Sequence, residues 1–448
     1  MSENRQPDAR TTALAAIEAF EKSGAWTDAY LAQAIRRNGL DSRSAALASR
    51  LTAGVLQNRT LLDFYVARFS SMPIERMERR VRCILRLGAY QICFLDRIPV
   101  RAAVDEAVKQ TRDWAAAPRA AGMVNAILRA IAREKDRLPE PVGETAEETM
   151  ALRYSHPLWL VRLLLQRLSM EETEAFLAAD NEPAPLCAQV NTLKTDTETL
   201  RSTLEAEGVT VSSHPLLPDA LLLERVGPLE RLTAWKQGLF NIQDAAARMA
   251  VLAAELRPGM RVLDACAAPG GKSLAAAVAM KNEGRITACD IHPRKLAQVL
   301  PAAERLGVTC LETLEADGRN FNPDWENAFD RVLADVPCSG LGTIRKKPEI
   351  RYKDPGLMEG LPAVQSALLD NLCRYVRPGG VLLYATCTIR REENEAIVDR
   401  FLAEHTTFSS EAFALPEPIG PVEGGRMTFW PQRHGTDGFF VARLRRQA

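Results

Sequence analysis

From residue 238 onward, short apolar runs typical of buried strands alternate with longer amphipathic runs typical of helices. The strand-like runs lie in RVLDACAAPGG, ITACD, TCLETLEAD, RVLAD and GVLLYATC. Parallel strands need long crossover connections, which are right-handed and usually contain a helix. Residues 238–448 are therefore predicted to form a doubly wound α/β domain with a mostly parallel sheet. The last run, MTFWPQRHGTDGFFVARL, predicts a closing antiparallel hairpin.

Four acidic residues stand at successive strand ends of this domain: Asp264, Asp290, Asp317 and Asp335. In open α/β sheets the ligand crevice lies at that edge, and a glycine-containing first turn lets the backbone approach a nucleotide-like ligand closely. There is no GxGxxG motif, which disfavours a dinucleotide pyrophosphate. One such acid usually only caps a helix, whereas four at successive strands indicate a binding site.

The stretch DVPCSGLG, Asp335–Gly342, places a carboxylate, a proline, a thiol and a glycine turn where a strand ends. The proline fixes φ and removes a backbone donor, which suits a shaped loop. A second cysteine, Cys387 in ATCT, follows the last parallel strand. The alternative for both is simple packing, because an unpaired cysteine often acts as a small hydrophobic residue. The residues alone do not decide which of Cys338 and Cys387 would be a nucleophile.

Residues 1–140 are predicted to form an all-α domain, because apolar residues recur at helical spacing and strand-type alternation is absent. This segment holds 23 Lys and Arg against 16 Asp and Glu, a net charge of +7 in a chain whose formal net charge is zero. A basic segment suggests contact with a polyanion, although ordinary charge variation between domains is the alternative.

Residues 141–237 are predicted to form a linker and a small α+β module. The acidic, proline-containing segment Leu138–Met150 indicates the linker, two helices follow it, and strand-like runs then surround one helix. Asn191 and Lys194 are weak candidates for substrate contact. The alternatives are that Asn191 is a capping residue and that Lys194 is an ordinary surface lysine.

The composition, with 46% hydrophobic and 25% charged residues, is that of a soluble globular protein. The nine cysteines form no CxxC pair, which argues against a zinc ribbon or a disulfide framework and fits a reducing compartment. The five histidines are scattered, so we expect no metal. The N-terminal MSENRQPDAR has no signal-peptide core, and no apolar run reaches spanning length. We expect a cytoplasmic protein with no membrane partner, and take a monomer as the starting expectation without a pattern that decides it.

Two N-terminal segments resemble the NusB-like RNA-binding helical domain: IPVRAAVDEAVKQTR (Ile98–Arg112) and AAGMVNAILRAIARE (Ala120–Glu134). The matching positions near the start of the last helix are Gly122, Asn125 and Arg129. The resemblance covers most of residues 8–135 and implies that the +7 charge serves RNA binding. Such helices also form interfaces with proteins.

DACAAPGGK, CDIHPRKL, EADGR, DVPCSGLG and ATCT, in this order, resemble the RNA (cytosine-5)-methyltransferase family. The resemblance implies a Rossmann-like class I domain that transfers a methyl group from S-adenosyl-L-methionine to carbon 5 of a cytosine. The NusB-like domain favours 16S rRNA as the substrate, by analogy. A tRNA cytosine-C5 methyltransferase is the second reading, and a non-enzymatic RNA-binding or ribosome-assembly factor is the third. In this family the VNTLK-like strand of the preceding module helps to hold RNA.

The resemblance also implies roles for single residues. The cofactor would be bound by Cys266, Ala267, Ala268, Pro269, Gly270, Gly271, Lys272, Asp290, Asp317 and Asp335. Asp290 would hold the ribose, and Asp317 would lie near the adenine. Cys387 would be the nucleophile and Cys338 would assist product release. In the related DNA enzymes the Pro-Cys residue attacks instead, so exchanged roles remain open.

The chemistry explains the need for a thiol. Carbon 5 of cytosine is a weak nucleophile, and a thiolate that adds to carbon 6 turns the ring into an enamine-like species. Asp335 could supply a proton or hydrogen bond at the N3 side if burial raised its pKa. The target base must be unstacked to reach such a pocket.

Two further segments complete the expectations. RKKPEIRYK (Arg345–Lys353) carries five basic residues, and phosphate contact is preferred over a solvated face. In HGTDGFF, Gly435 and Gly438 are predicted to shape a turn, with His434 structural rather than catalytic.

Overall fold

The computed structural model describes residues 7–24, 27–114 and 118–448. They form two compact units: unit 1 runs up to Glu182 and includes Ile344–Lys353, and unit 2 comprises Pro183–Thr343 and Asp354–Ala448. The signal-peptide argument rested partly on residues 1–6, which lie outside the described residues. Across the three described ranges, no helix is both long and apolar enough to cross a membrane.

Unit 1 is helical, and its described residues contain no strand. Its helices are α1 (Ala9–Ser23), α2 (Thr27–Arg37), α3 (Ser42–Gln57), α4 (Arg59–Arg68), α5 (Arg79–Phe94), α6 (Val100–Arg112), α7 (Ala121–Arg133), α8 (Ala146–Arg153), α9 (Leu158–Leu165) and α10 (Met170–Ala179). The predicted stop of α1 is confirmed, because Gly24 adopts a left-handed conformation and its N–H donates to the Phe20 carbonyl at 2.8 Å. The prediction of an all-α N-terminal domain is confirmed.

Helix α5 lies at the centre of the unit 1 core. Its apolar residues Val81, Ile84, Leu85 and Leu87 are buried and pack with side chains of the surrounding helices. The same helix carries Arg86, whose guanidinium pairs with Asp63 at 2.6 Å and with Glu21 at 3.1 Å. The buried cation is therefore neutralised by two carboxylates, as a charge in an apolar core requires.

The prediction of a linker over Leu138–Met150 is wrong in its second half, where α8 begins. Thr145 and Glu148 form a capping box, in which the Thr145 hydroxyl accepts from the Glu148 N–H at 3.2 Å and the Glu148 carboxylate accepts from the Thr145 N–H at 3.3 Å. Helices α8 to α10 group with unit 1, whereas we placed residues 141–237 together. The three-part division into 1–140, 141–237 and 238–448 remains a prediction.

Unit 2 begins with a small antiparallel sheet of strand order β2-β3-β1-β4. Its elements are β1 (Leu186–Val190), α11 (Thr197–Ala206), β2 (Thr210–Ser213), β3 (Ala220–Glu224), α12 (Thr233–Lys236) and β4 (Phe240–Ile242). The predicted α+β character of this module is confirmed.

Asn191 and Lys194 have structural contacts within unit 2. The buried Asn191 amide donates to the carbonyls of Gly238 and Leu306, both at 2.8 Å. The Lys194 ammonium donates to the carbonyls of Gln237 at 2.9 Å and Arg305 at 2.8 Å. These bonds tie the small module to the large one, and the structural alternative explains both residues better than substrate contact does.

The large sheet of unit 2 has the order β10-β14-β9-β8-β5-β6-β7, with β13 paired to β14. Its region comprises α13 (Ala245–Ala253), β5 (Arg261–Asp264), α14 (Gly271–Ala279), β6 (Arg285–Asp290), α15 (Pro293–Leu296), α16 (Val299–Leu306), β7 (Leu311–Glu315), β8 (Phe329–Asp335), α17 (Leu361–Leu372), β9 (Val376–Thr386), α18 (Glu395–Glu404), β10 (Phe408–Ser410), β11 (Phe413–Ala414), β12 (Pro421–Val422), β13 (Arg426–Phe429), α19 (Pro431–His434) and β14 (Phe439–Arg446).

Strands β5 to β9 are parallel, and β14 pairs antiparallel with both β9 and β13. The predictions of a doubly wound sheet and of a closing antiparallel hairpin are both confirmed. The chain runs outward from β5 to β7 and then returns to β8 on the other side of β5, so the strand order reverses between β5 and β8. Ligands of such sheets bind at this reversal.

The segment RKKPEIRYK does not lie on a solvated face throughout. Arg351 is completely buried in unit 1, where its guanidinium donates to the carbonyls of Gln57 and Ser155 at 3.0 Å and to the Asn181 side chain at 3.1 Å. Burial lowers the pKa of Arg351. Phosphate contact was therefore a wrong expectation for this residue, because its charge already binds main-chain oxygens.

We predict that Arg351→Met destabilises unit 1 by about 3 kcal/mol or more, because it leaves buried carbonyl oxygens without a donor. Thermal unfolding of the full chain checks this. The control Arg68→Met removes an exposed arginine at the end of α4 in the same unit and should leave the midpoint unchanged. Equal midpoints for the two variants would contradict the anchoring role of Arg351.

Candidate functional site

The candidate site lies at the carboxyl ends of β5, β8 and β9. In the parallel register Asp264 is opposite Leu333, and Asp335 is opposite Ala385. Asp264 and Asp335 are thus the last residues of neighbouring strands, and Cys387 follows the third strand directly. The sheet brings together groups that are far apart in sequence.

The turn between β5 and α14 contains the predicted segment Cys266–Lys272. The Ala267 N–H donates to the Cys289 carbonyl, and the Gly270 N–H donates to the Ala267 carbonyl, both at 2.7 Å. Gly270 has a φ of +106°, and an added Cβ would lie 3.1 Å from the Val299 side chain. Glycine is required there for both reasons. Pro269 follows a cis peptide bond, and burial raises the pKa of the Cys266 thiol.

Asp264 is completely buried beneath this turn, and one of its oxygens accepts from the Ser273 hydroxyl at 2.6 Å. The other oxygen, Oδ1, has no hydrogen-bond partner within the described residues. Burial raises the pKa of Asp264 to about 6. A buried acceptor without a donor, next to a turn that begins a helix, is an arrangement that a bound cationic or hydrogen-bonding ligand would complete.

Asp290 and Asp317 follow the next two strands. The Asp290 carboxylate accepts from the Ala268 N–H at 3.1 Å, which connects it to the β5–α14 turn, and from the His292 N–H at 2.8 Å. Asp317 is paired with Arg319 at 2.7 Å, and hydrogen bonds from that arginine lower its pKa. Asp290 therefore borders the turn directly, whereas Asp317 is held by a partner in its own loop.

Lys272 and Asp335 form an ion pair, with Nζ 2.6 Å from the carboxylate oxygen. Burial opposes the charge of Lys272, but Asp335 overcomes this and raises the pKa of the lysine. The side chain of Asp335 is 29% exposed and is paired with Lys272, so it is not the fully buried, isolated acid that we considered for the N3 side of a cytosine. The two groups form an ion pair with a donor and an acceptor side by side.

The two candidate cysteines are in contact, with Sγ of Cys338 and Sγ of Cys387 3.2 Å apart. Their hydrogen bond lowers the pKa of Cys387 and raises that of Cys338. Burial opposes ionisation of Cys387, as does Asp335, while the positive charge of Lys272 favours it. By geometry alone, either sulfur can be the donor in this contact.

Sequence reasoning missed a buried polar network behind the two thiols. It comprises Ser339, Gln365, Thr386, Thr388, Glu393 and Asn394, of which each is at most 1% exposed. The segment RREEN looks like an ordinary charged helix start, so no motif pointed to it. The only earlier signal was that hydroxyl residues flank Cys387 in ATCT.

Two glycines hold the Cys338 loop against the C-terminal turn. The Gly342 N–H donates to the Cys387 carbonyl at 3.0 Å, and the Gly342 carbonyl accepts from the Gly438 N–H at 2.7 Å. A Cβ on Gly342 would lie 1.7 Å from the Gly438 oxygen, so no larger residue fits. Gly435 adopts a left-handed conformation and ends α19, and the His434 ring bonds the Trp430 backbone. These contacts fit the predicted structural roles of the turn.

The reversal point, the glycine turn and the strand-end acids define a class I Rossmann-like methyltransferase domain. Residues 251–445 match the family model described as 16S rRNA methyltransferase RsmB/F. Residues 7–133 match the NusB family, and residues 156–230 match the ferredoxin-like domain of RsmF/B-like methyltransferases. The chain belongs to the RsmB/F family of S-adenosylmethionine-dependent methyltransferases of small-subunit ribosomal RNA.

Curated relatives match along the whole chain. The probable ribosomal RNA small subunit methyltransferase B of Bacillus subtilis is 35% identical over 99% of this chain and 100% of its own length. The ribosomal RNA small subunit methyltransferase B of Escherichia coli O1:K1 is 31% identical over 98% of this chain and 99% of its own. The crystal structure of PH0851 covers 99% of this chain and 100% of its own, with 27% identity and a TM-score of 0.81. The predictions of the family and of the fold class are confirmed.

We predict that Asp264→Asn stabilises the cofactor-free protein at neutral pH. The raised pKa means that the folded state holds the Asp264 proton more tightly than the unfolded state does, so stability is lost as the pH rises from about 4 to about 6. A shift of about two pKa units corresponds to about 3 kcal/mol. The midpoint of thermal unfolding of parent and variant, at pH 4.5 and pH 7.5, measures this.

The variant should be more stable than the parent at pH 7.5, and the difference should shrink at pH 4.5. Asp324→Asn, which changes an exposed aspartate of the same unit, should show no such pH dependence. A constant difference between Asp264→Asn and the parent at both pH values would contradict the buried charge.

Proposed function

We propose that the protein methylates carbon 5 of a cytosine in 16S rRNA through a covalent bond between Cys387 and carbon 6 of the base. The observation that carries this proposal is the contact of two thiols, 3.2 Å apart, beside the Lys272–Asp335 ion pair. Methylation of a ring nitrogen or an exocyclic amine needs no thiol nucleophile. A poised thiolate is required where the carbon to be methylated must first be activated.

The proposed reaction has three steps: addition of the thiolate, methyl transfer and elimination. The Cys387 thiolate forms a bond to carbon 6, and the electron pair of the 5,6 double bond becomes available at carbon 5. When bound, S-adenosyl-L-methionine would supply an electrophilic methyl group to carbon 5, and its sulfonium carbon–sulfur bond would break to leave S-adenosyl-L-homocysteine. A base then removes the proton from carbon 5, the bond to Cys387 breaks, and the thiolate leaves as the double bond re-forms.

Cys338 is assigned to the release step. Its thiol hydrogen-bonds to the Cys387 sulfur, so it lies where it can stabilise the departing thiolate. The Lys272–Asp335 pair combines a donor and an acceptor, and we assign to it the hydrogen bond at the N3 side of the base. The pair thus takes the role that the sequence suggested for Asp335 alone.

The residues at the β5–α14 turn fit the cofactor. The unpartnered buried oxygen of Asp264 can accept from the amino group of its methionine part, and the glycine turn allows close backbone approach. Asp290, which borders that turn, would take the ribose hydroxyls. Asp317 would lie near the adenine, although its carboxylate is already paired with Arg319. The proposed cofactor site is Cys266–Lys272 with Asp290, Asp317 and Asp335.

A tRNA substrate would use the same chemistry, and the NusB-family match at residues 7–133 and the names of the relatives favour ribosomal RNA over it. A purely RNA-binding assembly factor has no physical need for a lowered Cys387 pKa beside a lysine. The catalytic hypothesis therefore explains more of the site.

We predict opposite outcomes for the two cysteine variants. Cys387→Ala should lose methyl transfer at least about a thousandfold, because the nucleophile is gone, and should form no covalent RNA adduct. Cys338→Ala should accumulate an adduct that resists denaturant, because release is slowed. Small-subunit rRNA and tRNA transcripts with methyl-labelled S-adenosyl-L-methionine are the substrates, with nucleoside analysis for 5-methylcytosine.

Cys310→Ala, which removes a half-buried thiol at the start of β7, serves as the matched control and should behave as the parent. Adduct accumulation in Cys387→Ala instead of Cys338→Ala would mean that the two roles are exchanged. A methylated nucleoside other than 5-methylcytosine would overturn the proposed reaction. Methylation of tRNA in preference to rRNA would overturn the proposed substrate.

A further inference from the structure

The connection between β9 and α18 contains two adjacent residues with unusual burial. Glu393 and Asn394 are both 0% exposed, whereas the side chain of the neighbouring Glu392 is 53% exposed. Burying a carboxylate and a primary amide costs free energy unless their hydrogen bonds are satisfied. Their partners therefore show what the two residues do.

Asn394 holds both neighbours of Cys387. The Thr386 hydroxyl donates to the Asn394 Oδ1 at 2.6 Å, and the Asn394 Nδ2 donates to the Thr388 carbonyl at 2.9 Å. One amide side chain thus clamps the residue before the thiol and the residue after it. Cys387 has little freedom to move between two fixed neighbours.

Glu393 holds both neighbours of Cys338. Its Oε2 accepts from the Ser339 N–H at 2.8 Å and from the Gln365 amide at 2.9 Å, and the same Gln365 amide donates to the Pro337 carbonyl at 3.0 Å. Ser339, which follows Cys338, is thus held directly by Glu393, and Pro337, which precedes it, is held through Gln365.

A further bond joins the two clamps. The hydroxyls of Ser339 and Thr388 are 2.6 Å apart, which connects the loop after β8 to the loop after β9. The Tyr384 hydroxyl also donates to the Glu393 carbonyl at 2.5 Å and fixes that residue to β9. The network therefore spans the residues around both sulfurs, and its members are buried.

We propose that Glu393 and Asn394 are positioning residues that set the contact between the two thiols, Asn394 by clamping Cys387 and Glu393 by clamping Cys338. The proposal rests on the covalent mechanism proposed above. A sulfur–sulfur hydrogen bond weakens quickly with distance and angle, so a displacement of about 0.5–1 Å would uncouple the two groups. Buried polar networks with satisfied partners are suited to hold such a geometry.

The first experiment needs no RNA. The full chain is treated with iodoacetamide between pH 6 and pH 10, and the modification of each cysteine is followed by peptide mass mapping. Charged and titratable groups near the sulfurs are Lys272, Asp335, Asp437 and Glu393, and the pH profile reports their combined field. In the parent, Cys387 should react faster at neutral pH than an ordinary thiol of the same exposure, because the hydrogen bond with Cys338 lowers its pKa.

Asn394→Ala should lower the rate of Cys387 alkylation at pH 7 by about three- to tenfold, as expected for the loss of one hydrogen bond to the thiolate. The rate at pH 10 should match the parent. Thr386→Val is close to isosteric and removes only the Thr386 half of the clamp, so it should shift the rate in the same direction by a smaller factor. The double variant should be no worse than Asn394→Ala, because that variant already lacks the bond to Thr386.

The second experiment uses rRNA and labelled S-adenosyl-L-methionine. Asn394→Ala should slow formation of the covalent adduct, whereas Glu393→Gln should slow its release, so that adduct accumulates as in Cys338→Ala. Gln can keep an oxygen in the Oε2 position for the Ser339 and Gln365 donors, but its NH₂ group then faces the Arg390 guanidinium that pairs with Oε1. Glu392→Gln, the exposed neighbour, is the matched control and should equal the parent in both experiments.

The outcomes distinguish the positioning role of Glu393 and Asn394 from the methyl transfer proposed above. If the variants lose methyl transfer only in proportion to lost folded protein, with an unchanged alkylation profile for Cys387, the residues are structural and the positioning proposal is overturned. If the alkylation profiles shift as stated while the parent forms no 5-methylcytosine, the proposed function fails and the positioning role stands.

Discussion

The parallel pairing of β8 with β5 and β9 is the constraint on which the site depends. Parallel neighbours in a sheet lie about 4.8 Å apart and end at a common edge. The register of Asp335 with Ala385 therefore decides that the loop carrying Cys338 and the residue Cys387 emerge side by side. Because the strands are buried on both faces, a shift of register would disrupt the whole core. The register of the sheet thus fixes the relative positions of the site residues.

The site gives up stability in return for reactivity. Asp264 is held in a place where burial raises its pKa, and Cys387 is held beside Cys338, whose hydrogen bond lowers the pKa of Cys387 against the opposing effect of burial. The fold offsets these costs with hydrogen bonds that are satisfied elsewhere, as in the network of Glu393 and Asn394. Natural proteins commonly break local rules at functional sites and compensate for them in the surrounding structure.

The sequence predicted those features that leave a periodic or local signal. The alternation of strand and helix predicted the parallel sheet, and the glycine turn and strand-end acids predicted the edge of the sheet at which the site lies. Helix α8 was missed although Thr145 and Glu148 carry a capping-box signal, because the prolines before them were given more weight. Arg351 was misread because a charged residue in a basic run shows nothing of the carbonyl oxygens that surround it in the fold.

Glu393 and Asn394 could not have been found from the sequence for a related reason. The proposed role of Glu393 lies in contacts with Gln365 and Ser339, 28 and 54 positions away, and that of Asn394 in contacts with Thr386 and Thr388 across the loop after β9. These contacts follow from the tertiary structure. Spacing rules describe neighbours along one element. They say nothing of a buried carboxylate that reaches across two loops.

The contact between the two sulfurs also limits how charge is distributed in the site. Ionisation of both thiols, 3.2 Å apart, is disfavoured because the second negative charge would be opposed by the first and by Asp335. One proton is therefore shared by the pair, and ionisation of Cys387 keeps that proton on Cys338. In the proposed reaction, a nucleophile and a proton donor are thereby next to each other both before the thiolate adds to the base and as it leaves. On that proposal the second cysteine is the partner that lets the first be both a good nucleophile and a good leaving group.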